Sequence, residues 1–314
     1  MTAKFAFVFP GQGSQSVGML SDLSASSPLV RQTFDEASEI VGLDLWSLST
    51  EGPAAVLDRT EHTQPAMLAA GVAVWRVWLD RGGPAPSAMA GHSLGEYTAL
   101  VCAGSLSFPD AVSLVLDRGR LMQEAVPEGE GAMAAVLGLD DDQVCEACRE
   151  AAGDEVVEAV NFNSPGQVVI AGHRGAVERA GIRAKAAGAR RILPLPVSVP
   201  SHCTLMETAA GELGERLAEI DVFAPAIPVL HNANCRSTSD PDEIRTLLIR
   251  QLYNPVRWRE TIEAMASAGV THLLEGGPGR VLTGLAKRID RNLTGLPVHD
   301  TPSLDAALEA VNEA

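Results

Sequence analysis

The chain has 314 residues, 46% apolar but only 4% aromatic, enough to build one large domain or two smaller ones around mainly aliphatic cores. A formal net charge of −16 argues against a nucleic-acid binder, and no apolar run approaches the roughly 20 residues that span a bilayer. Five scattered cysteines, an odd number in a large chain, do not make a disulfide framework.

The first apolar stretch is too short for a signal-peptide core, and no small-residue cleavage site follows it, so a cytoplasmic protein is expected. A strand is predicted over 4–9, ended by Pro10 and the loop Gly11-Gln-Gly-Ser-Gln15. Helical spacing covers 29–41 and 63–79, the second with Pro65 near its first turn. A Gly/Pro-rich link at 81–86 leads to a short strand at 88–90, a tight turn at Ser93, a helix that Gly104 stops, and another helix over 108–125. This alternation predicts an α/β fold with a mainly parallel sheet.

From Gly131 the rhythm changes. A strand at 132–139, a helix at 140–152, strands at 156–161 and 167–172, a helix at 175–187 and a strand at 190–197 follow the ferredoxin-like order βαββαβ. Residues 128–198 are therefore expected to form a small inserted domain, within a large domain of 1–127 and 199–314. Beyond it the alternation resumes, with a strand at 229–230, helices at 241–252 and 258–268, a strand at 271–275, and a final helix after Gly276-Gly-Pro-Gly279.

Two features invite functional readings that fail. Gly11-Gln-Gly13 follows a strand, but a dinucleotide fingerprint needs glycine where Ser16 stands, and no P-loop occurs. Cys145 and Cys148 form a C-x-x-C, but no second pair at zinc-site spacing accompanies them, so they read as ordinary helix residues and no metal is expected.

Gly91-His-Ser-Leu-Gly95 matches G-x-S-x-G between a predicted strand and helix, the context of a nucleophile elbow. There Ser93 Oγ would be exposed, and the Leu94 amide would point at a developing oxyanion. The serine needs a base. Among seven histidines, His62, His173, His272 and His299 lie near loops or strand ends and read as surface residues. His92 adjoins Ser93, but neighbours at such a turn point apart, and His231 ends a strand, where it could support the reacting groups without touching them. His202, in Val197-Ser-Val-Pro-Ser-His-Cys203, sits where Pro200 fixes a turn as the chain re-enters the large domain. It is the candidate base, although spacing alone does not bring it within reach of Oγ. From the residues alone, Arg118 reads as an exposed helix residue pairing with Asp110 or Asp117.

Phe9-Pro-Gly-Gln-Gly-Ser-Gln15, Gly91-His-Ser-Leu-Gly-Glu-Tyr97, Asn161-Phe-Asn-Ser-Pro-Gly-Gln167, Pro200-Ser-His-Cys203, Gln251-Leu-Tyr-Asn-Pro-Val256 and Gly277-Pro-Gly-Arg-Val-Leu-Thr283 together resemble the malonyl-CoA:acyl carrier protein transacylases of bacterial fatty acid synthesis. The likeness covers essentially the whole chain in order. It implies an α/β-hydrolase-like large domain with a parallel sheet and an inserted ferredoxin-like small domain. It also implies that Ser93 takes up the malonyl group, His202 activates it, and the amides of Gln12 and Leu94 form the oxyanion hole. Arg118 would hold the malonyl carboxylate, Asn161 and Gln251 would contact substrate, and the Gln251 main-chain carbonyl would orient His202 in place of an acid. Malonyl-CoA and a transiently bound acyl carrier protein are the expected substrates, with no cofactor and a monomeric enzyme. A malonyl transferase of a malonate decarboxylase or polyketide pathway, or a serine hydrolase, would share the elbow. Because carrier proteins of this kind are acidic, the basic stretch Arg183-Ala-Lys-Ala-Ala-Gly-Ala-Arg-Arg191 and the pair Lys287 and Arg288 are candidate docking groups.

Overall fold

In the computed structural model, which describes residues 4–197 and 199–313, the strands in chain order are Phe5–Phe9 (β1), Ala88–Gly91 (β2), Gly131–Leu137 (β3), Val157–Ser164 (β4), Gln167–His173 (β5), Arg191–Pro194 (β6), Val229–Leu230 (β7), His272–Gly276 (β8) and Thr294–Val298 (β9). All five side chains of β1 are buried, as a strand requires when both its faces and both its edges are covered. It lies at the centre of a parallel sheet of order β7-β2-β1-β8-β9.

The two faces of β1 differ by the period-2 alternation of a strand. Phe5 and Phe7 meet Trp75 and Trp78 of the helix Thr60–Asp80, with the Phe7 ring edge-on to Trp75 at 5.4 Å, and Phe9 stacks on Phe7. Ala6 and Val8 leave room on the other face for the helices Trp258–Ser267 and Val281–Ile289. The helix Thr60–Asp80 is buried on almost every side, which explains its lack of a polar face. It begins at Thr60, so Pro65 stands inside it rather than near its first turn.

Between the helix Phe108–Glu124 and the return to β7, strands β3 to β6 form an antiparallel sheet of order β4-β5-β3-β6. The helices Asp141–Ala152 and Arg174–Ala186 cover one face, with Val136, Ile170 and Cys148 among the buried residues. The other face, including Met133, Val160 and Val169, closes on Cys203. An isolated parallel bridge from Asn161 to Val256 ties this sheet to the segment just ahead of the helix Trp258–Ser267. The strand expected at 190–197 is cut to Arg191–Pro194, since Pro194 and Pro196 have no N–H to continue a ladder.

Several elements escape the sequence pattern. The helices Ser21–Ser26, Leu45–Glu51, Ala54–Leu57 and Glu207–Ala218 are among them, and the expected final helix is followed by β9 and the helix Thr301–Glu313. β9 carries Gly295 and Pro297, which read as a loop but are tolerated in a strand at the sheet edge. Among the described residues no helix is long and apolar enough to cross a membrane, and no group of three or more His, Cys, Asp or Glu side chains could hold a metal ion.

The two basic stretches converge. Arg183 pairs with Glu150 at 2.8 Å, and Lys185 Nζ donates to the carbonyls of Ala189 and Arg190. Arg190, Arg191 and Arg288 line one cavity of about 660 Å³, between the turn at 138–140 and Pro165–Gln167, where Arg288 donates to Gln167 Oε1 at 2.8 Å.

Candidate active site

The carboxyl ends of adjacent parallel strands open a crevice that helices and loops then line. β1 leads through Pro10 to Gln12, β2 leads to Ser93, and β7 leads to His231 and Asn232. Ser93 sits at φ 52°, in the left-handed region that side chains rarely occupy. Its neighbours explain the motif. A Cβ on Gly91 would lie 1.8 Å from the Gly95 carbonyl carbon, and one on Gly95 would lie 2.1 Å from the Phe9 carbonyl oxygen. The turn therefore closes only with glycine on both sides of the serine.

Ser93 Oγ lies 2.7 Å from His202 Nε2. His202 is also left-handed, at φ 68°, and its N–H donates to the Leu252 carbonyl at 2.9 Å. Its Nδ1 lies 2.7 Å from the main-chain carbonyl of Gln251. A carbonyl only accepts, so Nδ1 carries the proton and Nε2 presents its lone pair to the serine hydroxyl. Burial first, and the nearby charge of Arg118 second, lower the pKa of His202 to about 3. The imidazole is therefore neutral and ready to accept a proton.

Arg118 is not the surface residue that its sequence neighbours suggest. It is 1% exposed, while Asp117 pairs outward with Arg120 and Arg216. Its guanidinium donates to Gln64 Oε1 at 2.8 Å, Gln251 Oε1 at 3.0 Å and Ser93 Oγ at 3.2 Å, and lies 5.3 Å over the Tyr97 ring. No carboxylate among the described residues lies within ion-pair distance, so a full positive charge faces the serine with only neutral acceptors around it.

These residues enclose a cavity of about 100 Å³, lined by Gln12, Leu94, Met122, Met133, Asn161 and Val199 as well as Ser93, Arg118 and His202. Asn161 Oδ1 is buried there without a hydrogen-bond partner. Gln251, expected also to touch substrate, does not line the cavity. Its side chain is fully buried, with Oε1 accepting from Arg118 and Nε2 donating to the Ser93 carbonyl at 2.9 Å. His92 does turn away from Ser93 Oγ, and its Nε2 meets Asn163 Oδ1 at 2.8 Å.

Sequence reasoning missed Gln64, Glu96 and Asn232. Asn232 clamps the elbow, accepting from the Ser93 N–H at 2.8 Å and donating to the Gly91 carbonyl at 2.7 Å. Glu96 follows the elbow motif directly, an acid in the first turn of the otherwise largely apolar helix Gly95–Cys102, and that contrast was the available signal. His231, expected as a supporting group one step from the reacting atoms, meets Glu96 Oε1 through Nδ1 at 2.7 Å, and Glu96 in turn holds Asn232 and Gln251.

The comparisons agree with this geometry. An acyl transferase domain model matches residues 6–284. The chain is 60% identical over 306 residues to the malonyl CoA-acyl carrier protein transacylase of Escherichia coli K12, covering 98% of this chain and 99% of that one. It superposes on an acyl carrier protein S-malonyltransferase from Vibrio cholerae with a TM-score of 0.95 at 59% identity, covering 97% of this chain and 100% of the other. A malonyl-transacylase solved in complex with a type II PKS acyl-carrier protein superposes with a TM-score of 0.97 at 58% identity, covering 98% and 99%.

Proposed function

The chain belongs to the malonyl CoA-acyl carrier protein transacylase family and moves malonyl groups from malonyl-CoA to acyl carrier protein, and we propose that it does so through an ester on Ser93, supplying extender units for fatty acid synthesis. The observation that carries the mechanism is the meeting of an imidazole and a guanidinium at one hydroxyl oxygen. Ser93 Oγ has a neutral imidazole at 2.7 Å and an unpaired guanidinium at 3.2 Å.

The geometry supports the following steps. The malonyl carboxylate takes the charge of Arg118, which a planar guanidinium can grip with two parallel hydrogen bonds. His202 Nε2 removes the hydroxyl proton as Ser93 Oγ attacks the thioester carbonyl. The N–H groups of Gln12 and Leu94 hold the resulting oxyanion, and the Gln251 carbonyl stabilises the imidazolium. The C–S bond then breaks, and the imidazolium returns its proton to the departing CoA sulfur. The phosphopantetheine thiol of the carrier repeats these steps in reverse, giving up its proton to His202 and displacing Ser93. No step requires a cofactor. Asn161, with its unpartnered oxygen, contacts the acyl chain or the arm behind it.

A hydrolase would share the elbow, but its base is usually supported by an acid, and it has no use for a buried arginine beside the nucleophile. The five cysteines are free thiols, which suits the reducing cytoplasm in which we place the enzyme. The test is intact-mass analysis after mixing with malonyl-CoA, with and without phosphopantetheinylated carrier. The expected result is a malonylated enzyme that loses its label to the carrier. Release of free malonate while the carrier stays unloaded would favour the hydrolase.

A further inference from the structure

Glu96 lies outside the cavity and touches none of the reacting atoms, yet it is fully buried at the centre of the hydrogen bonds that hold them. Oε1 accepts from His231 Nδ1 at 2.7 Å. Oε2 accepts from the Asn232 N–H at 3.0 Å and from Gln251 Nε2 at 2.8 Å. Asn232 and Gln251 are the two residues that clamp Ser93, one through its N–H and the other through its carbonyl.

The two ends of a side-chain amide have nearly the same shape, so hydrogen-bonding partners decide which way it points. Carboxylate and carbonyl oxygens only accept, so Glu96 and the Ser93 carbonyl both require the NH₂ end of Gln251. A guanidinium only donates, so Arg118 requires the oxygen end. The amide of Gln251 satisfies both and separates the two charges by one side chain. In direct contact, the carboxylate would pair with Arg118 and occupy the charge that reads the substrate. One amide away, it orients the acceptor that steadies Arg118 and leaves the guanidinium free for an incoming carboxylate.

We propose that Glu96 is a positioning residue for acyl selectivity, which orients the Gln251 amide so that Arg118 is held, unpaired, against Ser93. The proposal rests on the malonyl-transfer reading above. It ties discrimination between malonyl and acetyl groups to a residue that contacts neither.

The test is an isosteric change, Glu96→Gln, measured as kcat/KM for loading from malonyl-CoA and from acetyl-CoA. With an amide at 96, an N–H can face the Gln251 NH₂ in place of a carboxylate oxygen, and only the Ser93 carbonyl then keeps the Gln251 oxygen turned toward Arg118. The malonyl-to-acetyl ratio should then fall by about tenfold, as expected when a charged group loses one hydrogen bond. The malonyl KM should rise more than kcat falls. A merely structural role would slow both substrates alike, and an unchanged ratio in a folded Glu96→Gln protein overturns the proposal. Gln251→Met, which removes the intervening amide but leaves the acid, should lower the ratio to the same extent. Adding Glu96→Gln to it should change the ratio no further, and an additive second loss would contradict the relay. If Glu96→Gln does not fold, an unchanged ratio in Gln251→Met alone overturns the proposal. Failure of the wild-type enzyme to load malonyl at all would refute the transfer reading instead, so the two failures are separate.

Discussion

The Arg118 guanidinium donates to Ser93 Oγ at 3.2 Å, so the group that would read the acyl carboxylate touches the atom that would carry the acyl group. Recognition and chemistry are thereby set a few ångströms apart, on the scale of a three-carbon diacid.

The first prediction is that Arg118→Ala costs malonyl loading about 2–3 kcal/mol, roughly a hundredfold in kcat/KM, because a charged ligand group loses its charge-assisted partner. Acetyl loading should change far less, since acetyl leaves nothing unpaired. Steady-state kinetics on both thioesters decide it. Equal losses would make Arg118 structural.

The second concerns pH. With its pKa lowered from the ordinary 6.5 to about 3 by burial first and by the charge of Arg118 second, His202 stays neutral well below pH 7. Malonyl kcat/KM should therefore hold level from about pH 8 to about pH 5, where an unperturbed base would already be protonated. An acid limb near 6.5 in the wild-type profile would contradict this. In Arg118→Ala the pKa of His202 should rise. The stability effect has a definite sign. The unfolded chain binds this proton more readily than the folded one, so the contribution is fully present above about pH 6.5 and is lost as pH falls toward 3. Urea midpoints over that range should fall more steeply for wild type than for His202→Gln.

Much of this was legible in the sequence, for identifiable reasons. The elbow showed because glycines at 91 and 95 are sterically required, and His202 showed because Pro200 marks a turn into the site. Gln64 was hidden inside a helix whose start Pro65 obscured. The role of Glu96 depends on partners at 231, 232 and 251, which only the tertiary fold brings together. Arg118 read as a surface residue by periodicity alone, and only the family resemblance directed it inward. β9 read as a loop because an edge strand can carry the proline that a central strand cannot.

A third prediction tests the elbow. Gly91→Ala would place a methyl group 1.8 Å from backbone at Gly95, where no side chain can yield. A loss of about 3 kcal/mol or more in unfolding free energy is expected, together with loss of loading. An unchanged denaturation midpoint would show that the turn is looser than its geometry implies.

A fourth concerns the carrier. Arg190, Arg191 and Arg288 line one cavity, beside Asp140, in a chain of net charge −16, and we propose them as docking groups for an acidic carrier. Reversing Arg190 or Arg191 to glutamate should raise the carrier KM by about threefold or more at low salt and leave loading from malonyl-CoA intact. The effect should fade near physiological ionic strength, where exposed charges are screened within about 8 Å. Unchanged carrier kinetics at low salt would place the docking surface elsewhere.

The central claim is that the malonyl group passes through Ser93, and peptide mapping after exposure to malonyl-CoA alone tests it most directly. Competing nucleophiles are disfavoured, since burial pushes the Cys203 thiol up to about 12 and raises the Cys102 thiol well above its ordinary value. The account predicts one malonyl ester, on the peptide containing Ser93, absent from a folded Ser93→Ala protein. A label on Cys203 or Cys102, or one that persists in Ser93→Ala, would contradict it.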